Sequence, residues 1–288
     1  MGALASLTAG LIVLVIQNPG ESLFTLVPQN LDLAILGLGI PFLIIGASMA
    51  INDYHDYEAD RINKRMDRPL VRNPSLNPQH VLFGSLLMIV VGILFSVILF
   101  SDNYLVTVGV TFFSFLSLSY NLWTKEKGLI GNATVALSNT APYLLTLIAL
   151  DARDPDTILV VVVMAIITFC GVIGRELVKG IMDIEGDRIT NSRTFAVQFG
   201  PKRAVQLASV FFIILIFLIP IPMFIKFQDN LIYLGLMVIT VLLMLYTVAI
   251  LYNDPSVASG KKARSYSRTA LWIGSTGFFI GAFTLSFL

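Results

Sequence analysis

Two short stretches hold the side chains most suited to chemistry. Residues 56–63 read DYEADRIN and residues 183–190 read DIEGDRIT, each directly after a long apolar run. The heptapeptides DYEADRI and DIEGDRI agree at five of seven positions, and their first aspartates lie 127 residues apart. On a helix advancing about 100° per residue, with Asn52 at zero, Asp56 falls near about 40°, Asp60 near about 80° and Asp53 near about 100°. Glu58, at about 240°, points away. With Lys179 at zero, Asp183 falls at about 40°, Glu176 at about 60°, Asp187 at about 80° and Arg175 at about –40°, while Glu185 again points elsewhere. If the helices run on through the octets, each ends in a column of carboxylates on one face.

Carboxylates so close repel one another and raise each other's pKa unless a cation stands between them. Oxygen donors without His or Cys suit Mg²⁺ or Ca²⁺, and Mg²⁺ in particular is held by one or two carboxylates together with substrate phosphates. The Arg and Lys residues around the octets suit an anion that the metal also binds. Acids for a metal and bases for a phosphate describe a diphosphate site.

The elements that position these faces are apolar. Of 288 residues 56% are hydrophobic and 13% charged, with a mean hydropathy of +0.82, whereas a soluble domain carries about 25% charged residues. Nine stretches approach the length of a bilayer-spanning helix: 2–17, 31–53, 81–100, 104–123, 130–150, 157–179, 204–225, 231–252 and 270–288. The first lacks a basic start and a cleavage site, so it reads as a span and not as a signal peptide. None alternates as the strands of a membrane barrel do. The expectation is an all-α polytopic membrane protein, nine transmembrane helices in one bundle around a central cavity, forming a single domain over 1–288.

Cys170 is the only cysteine, which rules out an intrachain disulfide, and His55 and His80 are too few for a zinc cluster. A net charge of +1 gives no field for nucleic acid. Of the 19 Lys and Arg, all but Arg153 and Lys226 lie at the ends of, or after, the second, fourth, sixth and eighth stretches. Basic loops stay cytoplasmic, so the N-terminus and both octets are expected there, with the C-terminus outside, in a cell membrane. The recurrence of span, octet and basic loop suggests internal duplication, with counterpart motifs at 52–63 and 179–190 around one cavity. Gly37, Gly39, Gly46, Ala47 and Ser48 precede the first octet and read as positions where helices pack closely.

NDYHDYEAD (52–60) fits the NDxxDxxxD signature, and DIEGD (183–187) the second DxxxD signature, of the UbiA-type intramembrane prenyltransferases, which this chain resembles over nearly its whole length. Within that family, NDYHDYEADRINKRMDRPL, KGLIGN (127–132) and GRELVKGIMDIEGDR (174–188) most resemble the archaeal ether-lipid branch, which adds a second geranylgeranyl chain to a glycerol phosphate ether. Gly180 departs from that branch, where an acid often follows the lysine, and Met1 starts nearly within the first helix, where relatives usually have a basic stretch.

The resemblance implies Mg²⁺-dependent transfer of a prenyl chain from an isoprenyl diphosphate, geranylgeranyl diphosphate above all, to a membrane acceptor such as geranylgeranylglyceryl phosphate. It implies Asn52, Asp56, Asp183 and Asp187 as the principal metal shell, with Asp53 and Asp60 as supporting ligands or bases. Asp56, Asp60, Asp183 and Asp187 are the implied catalytic acids. Arg175 and Lys179 would reach the diphosphate. Lys125 would do the same or serve as a topology anchor. Arg61, Arg68 and Arg72 would hold an acceptor phosphate or set topology. Tyr120 and Asn121 would stabilise the allylic cation or place the acceptor, although Tyr is also common at membrane interfaces.

Two alternatives remain at this stage. One is an aromatic prenyltransferase of quinone or haem-precursor type, with a pocket for a flat ring. The other is a divalent-cation transporter, since membrane acids mark ion pathways; against it, no span carries a carboxylate at its middle. CDP-alcohol phosphotransferases place their acids in one continuous motif, unlike these.

Overall fold

The computed structural model describes residues 2–18, 21, 26, 35–62, 66, 68–125, 127–189, 192–228 and 230–285. Among these every regular element is a helix. The start of the second predicted span (31–34), Lys64, Arg65, Thr190 and the end of the last span (286–288) lie outside the described residues.

Helix α1 spans Gly2–Gln17. A π-helical turn, Ile35–Gly39, leads into α2, Ile40–Ile62, which continues past the predicted end of its span and carries the whole described part of the first octet. Between Pro41 and Pro69 no proline interrupts the chain, so the backbone hydrogen-bond ladder has no reason to stop at the membrane edge. A single turn, α3 (Pro69–Arg72), precedes α4 (Pro78–Leu99), which is capped by the Asn77 side chain. Helix α5, Tyr104–Ser119, ends in a widened π turn, Tyr120–Thr124. The fifth apolar stretch is two helices, α6 (Leu129–Ser138) and α7 (Ala141–Ala149), divided at Asn139–Thr140. Asn139, Thr140 and Pro142 all favour a break there.

Helix α8, Pro155–Met182, stops at Asp183, and the second octet forms a separate short helix, α9 (Ile184–Ile189). The assumption of one continuous helix through this octet is thus corrected. The consequence for the acidic face is small, because Asp183 N–H donates to Lys179 C=O (3.0 Å) and Asp187 N–H to Asp183 C=O (2.8 Å) across the bend. A turn α10 (Phe195–Phe199), α11 (Pro201–Leu218), α12 (Ile221–Ile225), α13 (Leu231–Asn253) and α14 (Val257–Leu285) complete the chain.

Successive long helices pack side by side, and α14 returns to α1, which in turn meets the turn before α2, closing a ring. Helix α8 is the most enclosed of the long apolar helices; Gly171 and Gly174 let Leu271 of α14 and Phe212 of α11 approach, at 2.7 and 2.6 Å from where a β-carbon would stand. On the lipid side α4 leaves Phe83 and Ile98 about 70% exposed, as expected where the surrounding solvent is hydrocarbon.

Among the described residues six helices are long and apolar enough to cross a membrane: Ile35–Glu58, Pro78–Leu99, Tyr104–Thr124, Pro155–Met182, Pro201–Ile225 and Leu231–Asn253. The other three predicted spans fall short among the described residues for identifiable reasons. Helix α1 has 16 residues, the fifth stretch is divided into pieces of 10 and 9 residues, and α14 carries Lys261, Lys262, Arg264 and Arg268 before its apolar part.

Candidate functional site

The first acidic face comes from the last three turns of α2 and splits in two. Lys125 Nζ donates to both carboxylate oxygens of Asp56 (2.8 and 2.6 Å) and to Asn52 Oδ1 (2.9 Å). Asn52 Nδ2 closes the cluster by donating to Asp56 Oδ2 (3.1 Å). Asp53 and Asp60 belong to a second cluster. Arg68 Nη1 donates to Asp53 Oδ1 at 3.0 Å, and Arg68 Nε stands 3.4 Å from Asp60 Oδ2, close enough for an ion pair but misaligned for a hydrogen bond. Asp60 is buried. Glu58 points outward, as its helical position requires, and pairs with the equally exposed Arg61.

Lys125 reaches α2 because of the local backbone before it. The π turn Tyr120–Thr124, closed by Lys125 N–H donating to Tyr120 C=O (2.9 Å), advances the chain less per residue than an α-helical turn and swings Lys125 toward Asn52. Asn121 pins the same turn to α2 by donating to Ser48 C=O and Ser48 Oγ, both at 3.0 Å. Two glycines then fix the exit. A β-carbon on Gly131 would stand 2.3 Å from the Thr124 carbonyl oxygen. Gly128 adopts φ +56°, a left-handed value that glycine tolerates, and lies 2.9 Å (measured from the same hypothetical β-carbon) from the Arg193 carbonyl oxygen. The turn carrying Lys125 therefore touches the loop that follows the second octet.

That second face closes the cavity. Asp56, Tyr120, Lys125 and Asn132 line one side; Glu176, Lys179, Asp183 and Asp187 line the other, with Ser192, Thr194 and Phe195 at the rim. The cavity measures about 230 Å³. Thr194 Oγ1 donates to Asp187 Oδ2 (3.0 Å), and Lys179 Nζ stands 4.0 Å from Glu176. Burial raises the Asp187 carboxyl above the ordinary range; Thr194 opposes the shift, Asp183 adds to it, and Lys179 and Lys125 counter it from both sides. Sensing Lys125 from one face and Lys179 from the other, Asp187 sits where the two motifs meet.

The structure thus brings Asp56, Tyr120, Lys125, Lys179, Asp183 and Asp187 to one cavity, with Asn52 bonded to two of its members. It sets Asp53, Asp60 and Arg68 beside it as a mutually paired group, and Asn121 in the α5–α2 contact. Arg175 does not line the cavity. Among the described residues no three acids or His and Cys side chains stand close enough together to hold a metal ion. The donors at hand are nonetheless all hard oxygens, and a cation, the Lys125 ammonium, already lies on the Asn52–Asp56 corner. Sequence reasoning missed Thr194, Ser192 and Asn132, which carry no charge and show no spacing pattern. The close approaches at Gly128 and Gly131 give the glycines of KGLIGN (127–132) their structural role.

Residues 3–285 match the UbiA prenyltransferase family. The digeranylgeranylglyceryl phosphate synthase of Archaeoglobus fulgidus is 31% identical over 251 residues, covering 86% of this chain and 83% of that one. The synthase of the same name from Sulfolobus acidocaldarius is 32% identical over 239 residues, 80% of this chain and 78% of its own. A solved structure concerned with digeranylgeranylglyceryl phosphate synthase superposes with a TM-score of 0.74 at 21% identity, covering 98% of this chain and 93% of the other.

Proposed function

Because the chain belongs to the UbiA prenyltransferase family, and is therefore an intramembrane prenyltransferase, we propose that it transfers a geranylgeranyl chain from geranylgeranyl diphosphate to geranylgeranylglyceryl phosphate in archaeal ether-lipid synthesis. The similarity to synthases named for that product supports the acceptor class. The observation that carries the reaction is the single cavity with Asp56 and Lys125 on one wall and Lys179, Asp183 and Asp187 on the other.

In this reading Asn52, Asp56, Asp183 and Asp187 hold Mg²⁺, for which their oxygen donors are suited. Bound there, Mg²⁺ supplies neutralisation of the negative charge that builds on the departing diphosphate. Lys125 and Lys179, one from each wall, donate to the diphosphate oxygens and align it in the cavity. Arg68 holds Asp53 and Asp60, and so fixes the last turns of α2 on which Asn52 and Asp56 ride. Tyr120, facing the cavity, presents its ring to the allylic carbon from which the diphosphate leaves; a cation forming there is favoured by an aromatic face. Apolar helix surface keeps bulk water from that carbon. The attacking group is the acceptor's free hydroxyl, which forms the new C–O ether bond as the allylic C–O bond to diphosphate breaks and passes its proton to the departing diphosphate.

The same reading places nine spans in the membrane, both motifs and the N-terminus at the cytoplasmic face and the C-terminus outside, supported by the distribution of Lys and Arg. It includes an origin by duplication, supported by the matching heptapeptides. The test is purified protein in neutral-lipid nanodiscs with the donor, Mg²⁺ and the glyceryl phosphate acceptor, and a parallel panel of flat aromatic acceptors, scored by mass spectrometry. A two-chain ether product supports the proposal; prenylated aromatics with no ether product overturn the acceptor.

A further inference from the structure

Outside the acidic cavity the strongest unexplained feature is a group of guanidinium side chains between α8 and α14. The two helices run antiparallel: Gly260 lies against Met182 and Val178 (2.9 and 3.9 Å from its would-be β-carbon), and Gly171 against Leu271 (2.7 Å). Arg264 and Arg268 fall between those two contacts, at the height of Arg175. They are four residues apart and so share one face of α14, exposed beside the buried seam of Ala263, Ser267 and Ala270. Arg175 comes from the facing helix, and both α14 arginines are near enough to repel it, while Glu176 attracts it. Among the described residues no carboxylate forms an ion pair with any of the three. Arg175 Nε is buried and has no hydrogen-bond partner.

A buried guanidinium N–H without an acceptor, with two more guanidiniums beside it, raises the free energy of the empty site. An anion relieves both terms at once, and the planar fork of Arg matches phosphate oxygens two at a time. We propose that Arg175, Arg264 and Arg268 form a second anion site, separate from the acidic cavity, that binds the phosphate group of a membrane-embedded lipid. The acceptor's phosphate monoester and an anionic headgroup of the surrounding bilayer share that chemistry. Arg175 stands four residues, about 6 Å, from Lys179 along the same helix, so a phosphate held there leaves a neighbouring glycerol hydroxyl beside the diphosphate. The acceptor is therefore the favoured occupant, a point that rests on the function proposed above. Of the three arginines of the first basic loop named above, Arg61 and Arg68 are paired with Glu58 and with Asp53 and Asp60.

The test uses the full chain with Arg264→Gln and Arg268→Gln together, both exposed positions, folding being checked by the melting temperature. Equilibrium binding is measured in neutral detergent for geranylgeranylglyceryl phosphate, for its dephosphorylated alcohol, for phosphatidylglycerol and for geranylgeranyl diphosphate. The expected result is a loss of about tenfold in affinity for a phosphate-bearing lipid, the scale of one lost charge-assisted hydrogen bond, with the alcohol and the prenyl diphosphate bound as before. Loss confined to the glyceryl phosphate assigns the site to the acceptor, and loss confined to phosphatidylglycerol assigns it to the bilayer. Unchanged binding of both lipids overturns the site, as does a parallel loss of prenyl diphosphate affinity, which would make the arginines part of the cavity's field. If the parent protein makes no two-chain product yet binds phosphatidylglycerol through these arginines, the site stands and the reaction assignment fails.

Discussion

Lys125 occupies the corner where the metal is expected, and its removal has an effect of definite sign. Its ammonium makes three contacts of 2.6–2.9 Å with Asp56 and Asn52. A divalent cation must displace it to reach the same oxygens. Both side chains of the pair retain about 30% of their exposure, so solvent screens the interaction and its net strength is about 1.5 kcal/mol, well below that of a buried pair. Lys125→Met keeps the length of the stem and removes the competitor. The expected result is Mg²⁺ or Mn²⁺ binding about tenfold tighter than in the parent, in the absence of diphosphate. With diphosphate present the sign reverses, because Lys125 then serves the anion, and the variant binds inorganic diphosphate about tenfold more weakly. Isothermal titration of metal alone, then of diphosphate at saturating metal, reads both. Metal affinity that is unchanged or weaker in Lys125→Met would refute the reasoning, for it would mean that the lysine and the metal do not share these oxygens.

Three further outcomes follow from the same contacts. Arg68→Met leaves Asp53 and the buried Asp60 without their shared counter-ion and lowers the unfolding free energy by about 2 kcal/mol, measured by denaturant titration in detergent. Gly131→Ala drives a β-carbon to within 2.3 Å of the Thr124 carbonyl oxygen; the π turn must shift, and prenyl transfer falls about tenfold or more with Lys125 displaced. Asp187, raised above the ordinary carboxylate range chiefly by burial, holds its proton more tightly folded than unfolded. The cost of carrying it ionised is therefore absent below that range and grows as pH rises through it. Asp187→Asn in metal-free buffer should raise the melting temperature at about pH 7 and leave it unchanged at about pH 3.

The helical wheel from the sequence separated Glu58 and Glu185 from the other acids, but it set Asp53, Asp56 and Asp60 on one stripe that the structure divides between Arg68 and Lys125. Glu58 and Glu185 point away from the cavity, and Asp56, Asp183 and Asp187 line it, because the 3.6-residue period survives in α2 and across the bend at Asp183. The division of the first face was not legible. Asp53 and Asp56 lie close on the wheel, but one answers Arg68 and the other Lys125, and those partners arrive from segments whose spatial position is set only by tertiary packing. The placement of Lys125 depends on a π turn that has no sequence signature of its own, and Thr194 became visible only once the loop after α9 folded over Asp187. The length of a hydrophobic run also overstated regularity: 130–150 reads as one span, yet Asn139, Thr140 and Pro142 divide it. The basic residues of α14 read as topology markers in the sequence, and only their height against Arg175 gives them a second meaning.

In the proposed reaction the two acidic faces act on one diphosphate. The most direct measurement is release of inorganic diphosphate from geranylgeranyl diphosphate in the presence of acceptor, by the parent, by Asp56→Asn and by Asp183→Asn, each with Mg²⁺ and with EDTA. The expected outcome is release by the parent that EDTA abolishes, and a loss of about a hundredfold in either variant alone, because in the proposed reaction each wall of the cavity stabilises the same departing group. Release at the parental rate from either folded variant would contradict it, since one wall would then suffice.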